Sequence, residues 1–70
     1  MMPITMGDVG QAYTIRKITG PEELRAHLSA MGFNQGTEIR LISKLAGNVI
    51  VAVKDSRVAI GHDEAVHIMV

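Results

Sequence analysis

The three histidines and the acids beside them are the side chains of this sequence with the most chemistry to offer. His62, Asp63, Glu64 and His67 stand close together, and imidazole with carboxylate is a donor set for a divalent transition metal. A helical zinc motif needs its two histidines four residues apart, so that both leave one face with a glutamate between them. His62 and His67 are five apart, which sets them about 140° apart on a helix and on opposite faces of a strand. His27 stands beside the apolar positions Leu24, Leu28 and Met31, where it reads as a ligand, as a pH-sensitive contact at an interface, or as a half-wet boundary residue. The metal-ligand candidates are therefore His27, His62, Asp63 and His67. Asp63 and Glu64 do not make an acid–base pair, because adjacent side chains diverge on any regular element. A solvated loop or the first turn of a short helix accounts for them.

Other chemistries lack residues. Cysteine is absent, which removes disulfides, thiolate metal sites and a thiol nucleophile. Ser29, Ser43 and Ser56 sit in no nucleophile motif, and the glycines follow no phosphate-binding pattern. The five methionines are better read as core filling or exposed termini than as soft-metal ligands. An enzyme is not expected, and the only cofactor with donors here is a divalent transition metal. Seven basic and seven acidic residues cancel, and the basic ones form no stripe along any single element. Nucleic acid, which demands a basic face and usually aromatic platforms, is not an expected partner. The longest apolar run, Val49 to Val53, falls far short of the ~20 residues of a membrane-spanning helix. The N-terminus has neither the basic flank nor the apolar stretch of a signal peptide, so the expected address is cytoplasmic.

The elements that must position these residues are short. Seventy residues are enough for one domain with one core, here residues 1–70. Gly7-Asp8-Val9-Gly10 has the composition of a turn. Ala12 to Ile18 reads as a strand whose buried parity shifts near its end. A helix starts within a residue of Pro21, either by a Thr19–Glu22 capping box or by Gly20 as cap with Pro21 in the first turn. Leu24, Leu28 and Met31 share its inner face. Gly32 stops it in the left-handed conformation, and Phe33 packs back onto the last turn. Asn34-Gln35-Gly36 turns into Thr37 to Leu45, with Ile39 and Leu41 facing the core. Ala46-Gly47-Asn48 then closes a hairpin onto Val49 to Lys54, with Val49, Val51 and Val53 on one face and Ile50 and Ala52 on the other. After a second polar turn, Val58-Ala59-Ile60 is another strand, and the apolar pattern resumes at Val66 to Val70. About five short, evenly spaced strands and one helix indicate a mainly β fold, a small barrel whose closure would remove exposed edges.

The run Leu28-Ser29-Ala30-Met31-Gly32-Phe33-Asn34-Gln35-Gly36 resembles the signature of the FeoA family, in which a leucine, a short spacer, a glycine, an apolar residue and a second glycine follow one another. The similarity extends to the early glycine turn, the Val49 to Val53 strand, Val58-Ala59-Ile60, Ala65, Ile68 and Val70. It implies an SH3-like barrel with one inserted α-helix. It also implies an accessory or regulatory role in ferrous iron uptake, through contact with the cytosolic portion of a FeoB-type membrane transporter at the inner face of the membrane. A related domain ends iron-dependent repressors, but no helix-turn-helix precedes it here, so a DNA-binding repressor is not expected. Family members often carry basic residues where this chain has His27 and Gly61.

The leading expectation is thus a binding module, with the exposed side of the helix, Arg25 and Ser29, as the candidate partner surface. The alternative is a metal-responsive domain whose His and Asp ligands control assembly.

Overall fold

The computed structural model describes residues 1–70. After a short 3-10 turn (Ile4–Met6), the chain runs β1 (Ala12–Thr14), β2 (Lys17–Ile18), α1 (Glu22–Ala30), β3 (Glu38–Leu45), β4 (Asn48–Val53), β5 (Ser56–Ile60), α2 (His62–Ala65) and β6 (Ile68–Met69). Strands β1-β3-β4-β5 form an antiparallel sheet in that order, and β2 pairs with β6 in a second, two-stranded one. The mainly β, SH3-like architecture expected from the sequence is present, with a sixth strand and a second short helix. Closure is incomplete, because β1 and β5 remain edges of the larger sheet.

The stretch read as one strand is two. Thr14 pairs with Glu38 in the large sheet, whereas Lys17 pairs with Met69 in the small one. Between them Ile15 is bonded on both sides to the Gly36–Thr37 turn, and the Arg16 N–H donates to the Met69 carbonyl at 2.8 Å. The chain changes sheets there, which is why the buried parity shifts after Ile15.

α1 begins where expected, but neither anticipated cap forms. Pro21 is the N-cap, without a side-chain hydrogen bond, and the Thr19 hydroxyl is instead 2.9 Å from Nδ1 of His67. The helix end follows the sequence closely. Gly32 takes φ +98°, its N–H donates to Ser29 O at 3.0 Å, and the Phe33 N–H donates to Leu28 O at 3.0 Å. This double bond pattern satisfies carbonyls the helix would otherwise leave open and returns Phe33 to the core beside Leu28.

The β3–β4 hairpin turns through Ala46 and Gly47, both at positive φ, the two-residue geometry that matches strand twist. Its ladder shifts register between Leu41 and Ser43, with Ile42 the extra residue of a β-bulge. Ile39, Leu41, Val49, Val51, Val53 and Ile60 face inward from the sheet; Ile4, Ile15, Leu28, Phe33, Ala65, Ile68 and Val70 close the core around them. No polar side chain is buried, so apolar packing alone supplies the interior.

Candidate functional site

The metal-ligand candidates are distributed to three separate places by the elements that carry them. His27, in the last turn of α1, lies 3.3 Å from Oε2 of Glu64 on α2 through its Nε2, and both groups reach solvent, at 59% and 34% exposure. His62 opens α2 and is tied to the β3–β4 hairpin: its backbone N–H donates to Oδ1 of Asn48 at 2.9 Å, and its ring lies over Gly47. The His67 ring is turned the other way, against Thr19 and Gly20. Asp63 is exposed. No three His, Asp or Glu side chains form a group suited to hold a metal ion. The five-residue spacing of His62 and His67 argued against that pair, and the two rings do lie apart; the pair actually brought together is His27 with Glu64, a contact between two helices that no local pattern announces.

On the outer side of α1, Arg25 is exposed and forms no ion pair, the His27–Glu64 contact being the one acid–base contact in the molecule. Ser29 is not a free surface hydroxyl. It donates to Oδ1 of Asn34 at 2.5 Å and so braces the loop that leads from the helix into β3.

Two basic residues serve the fold as well as the surface. Lys44 Nζ donates to the Gly7 carbonyl at 2.8 Å, and Arg40 Nη1 to the Gly10 carbonyl at 2.6 Å. Together they hold the glycine-rich N-terminal turn against β3. The Asp8 N–H adds a 2.7 Å bond to the Tyr13 hydroxyl.

The feature sequence reasoning missed lies on the outer face of the large sheet. The register sets Ala12, Arg40, Ala52 and Arg57 side by side across four strands, and Ser43, Ile50 and Ala59 side by side in the neighbouring row. Arg40 and Arg57, which look scattered along the chain, therefore stand in the row next to an apolar groove of about 340 Å³ whose walls include Leu45, Ile50 and Ala59. A groove at the lower end of ligand-pocket sizes admits a side chain or two of a partner more readily than a cofactor.

Comparison with known proteins fixes the family. The FeoA domain model matches residues 2–70. This chain belongs to the FeoA family. FeoA domains are small, SH3-like and associated with ferrous iron transport, and they are not a known enzyme family. The chain is 33% identical, over all of its own length and 85% of the relative's, to the "Putative Fe(2+) transport protein A" of Methanocaldococcus jannaschii. The crystal structure of an iron uptake regulatory protein, FeoA, superposes with a TM-score of 0.86 at 27% identity, covering 96% of this chain and 89% of that one. The zinc complex of Stenotrophomonas maltophilia FeoA, described as a prokaryotic SH3 domain protein, gives 0.83 at 19% identity over 99% of this chain and 88% of that one. A manganese-dependent transcriptional repressor shares the fold, with a TM-score of 0.87 at 18% identity, over 96% of this chain and 34% of its own. No helix of this domain is long and apolar enough to cross a membrane.

Proposed function

We propose that this FeoA protein is a cytosolic accessory or regulatory component of ferrous iron uptake and acts by binding the cytosolic portion of a FeoB-type transporter, which recruits it to the inner face of the membrane. The observation that carries the reading is the family match along the domain from residue 2 to residue 70. The physical character of the molecule agrees with it. A domain whose interior is entirely apolar and whose seven lysines and arginines lack carboxylate partners has surface charge to offer a partner and no buried polar cluster to do chemistry. Such an interface would be modest and partly polar.

The test is an affinity titration of the domain against the cytosolic portion of the transporter, with and without guanine nucleotide. Saturable binding is expected, and Arg25→Glu should weaken it about tenfold if the α1 surface is used. Ser29→Ala is the less direct probe, because it also frees Asn34. No binding in any nucleotide state would overturn the reading.

The His27–Glu64 pair gives a second reading, a metal-responsive domain, its one specific support. Two ligands fall short of the four a closed zinc site uses, so water or a second chain would complete the shell. Titration with Zn²⁺ or Fe²⁺, followed through the histidine ring NMR signals, decides it. Saturable shifts of His27 alone at micromolar metal support a site at this pair, and featureless titration removes it.

A further inference from the structure

We infer that the open edge of β5, with the groove beside it, is a docking site for an extended acidic and apolar segment of a partner protein, taken up as an added antiparallel strand. β5 pairs only with β4, and its backbone groups make no backbone hydrogen bond to any turn, loop or other strand. An unpaired edge is a template for another strand. Proteins blunt such edges with charge, proline or brevity, yet this one spans Ser56 to Ile60 with Arg57 as its single charged residue.

The face beside that edge selects what would pair with it. Ala59 of β5 lies next to Ile50, and both line the apolar groove. Leu45 and Ile50 are 80% and 38% exposed, so the groove offers apolar surface that nothing in the chain covers. Two residues back along β5, a distance of ~7 Å, Arg57 lies beside Ala52, which has Arg40 on its other flank. Arg40 commits one N–H to the Gly10 carbonyl, while the Arg57 guanidinium has neither a hydrogen-bond acceptor nor a carboxylate within reach. The unpaired Arg57 guanidinium, one row from an apolar groove, is complementary to a carboxylate attached to an apolar anchor.

An added strand meets both demands at once. Running antiparallel to β5, it places an apolar side chain beside Ala59 and over the groove. The residue after next, on the same face, stands opposite Arg57, where a carboxylate makes a favourable cross-strand pair. The recognised pattern is apolar, any residue, then Asp or Glu, with the middle side chain turned to the other face beside Val58. A lipid surface would also attract Leu45 and the arginines, but hydrocarbon cannot satisfy the free N–H and C=O groups of a strand edge, and a concave groove suits a side chain better than a bilayer. The inference rests on the binding-module reading only in requiring a protein partner. Its test uses this chain with a synthetic peptide, so its failure and a failed transporter titration are separate results.

The probe is the acetylated, amidated peptide Thr-Leu-Val-Glu-Thr-Asp, added to the isotope-labelled full chain and followed by amide NMR. We expect saturable shifts confined to Arg57 through Gly61, Ile50 and Leu45, with slowed amide exchange along β5. The same peptide with lysine in place of both acids should bind at least about fivefold more weakly. Arg57→Glu should weaken the acidic peptide by a similar factor, and Ala59→Lys, which fills the groove mouth with a charge, should abolish saturation; both positions are exposed, and unchanged shifts elsewhere confirm the fold. Shifts centred on α1, equal binding of the lysine peptide, or no saturation by about 1 mM peptide would overturn the inference. So would phosphatidylserine vesicles that shift the same amides when the peptide does not.

Discussion

Replacing Gly47 by alanine should be among the most damaging single-methyl changes available to this domain, and the structure says by how much. Gly47 has φ +83°, and a Cβ built there would fall 2.6 Å from Nδ1 and 3.0 Å from Cγ of His62. The backbone term for an L-residue in the left-handed region is roughly 1–2 kcal/mol. The steric term adds to it, because the approach is to the base of the imidazole as well as its edge, so the ring must swing away. If α2 moves with it, the His62–Asn48 bond goes too, about 1 kcal/mol net. The backbone and hydrogen-bond terms alone come to roughly 2–3 kcal/mol, a large part of the ~4–10 kcal/mol expected for a domain of this size, and to a fall in Tm of about 10–20 °C. Gly36 supplies the control: it also has positive φ, +88°, but a Cβ there meets nothing within 4 Å. Gly36→Ala should therefore cost only the backbone term, roughly 1–2 kcal/mol. Urea denaturation of the two variants, and of Gly47→Ala combined with His62→Ala, completes a double-mutant cycle. The combined variant should recover roughly 1 kcal/mol of the Gly47→Ala loss. Equal costs at Gly36 and Gly47, or no recovery, would refute the packing of α2 onto the hairpin.

Ala46 should respond in the opposite sense. It holds φ +52° without the side-chain or backbone freedom that favours such a conformation, so Ala46→Asn, which creates the preferred Asn-Gly hairpin turn, should stabilise by about 0.5–1 kcal/mol in the same denaturation assay. Thr19→Val keeps the side-chain shape but removes the hydroxyl partner of His67. It should cost about 1 kcal/mol and move the His67 ring resonances while leaving those of His27 and His62 in place.

Those features that depend on near neighbours in sequence were legible. The end of α1 needs only Gly32 to adopt positive φ and Phe33 to be apolar, and both requirements are visible within one turn of the helix. The hairpin at Ala46-Gly47 and the inward parity of Val49, Val51 and Val53 are equally local. Two of the departures come from distant partners. Thr19 has the right spacing to cap α1, but the His67 ring captures its hydroxyl. Ala12 to Ile18 has the alternation of one strand, but Arg16 meets Met69 where Thr14 met Glu38. Propensity and parity are blind to which sheet a residue joins.

The outer face of the sheet was harder to see, although the sequence holds a contradiction that points to it. A two-residue turn at Ala46-Gly47 pairs Leu45 with Asn48 and Lys44 with Val49. Counting on without interruption would set Arg40 opposite Val53 and turn Ile39 and Leu41 outward, since a slip of one residue exchanges the two faces of a strand. Apolar parity demands the reverse, with Ile39 and Leu41 buried. Both demands are met only if β3 carries one extra residue, and that residue is Ile42 at the bulge. The same insertion that returns Ile39 and Leu41 to the core sends Arg40 out beside Ala52 and Arg57. The burial of Ile39 and Leu41 and the outward position of Arg40 are thus consequences of a single irregularity in β3, while Arg57 joins the same row through the regular β4–β5 register; the pairing, not the distribution of basic residues along the chain, makes this face basic at one end and apolar at the other.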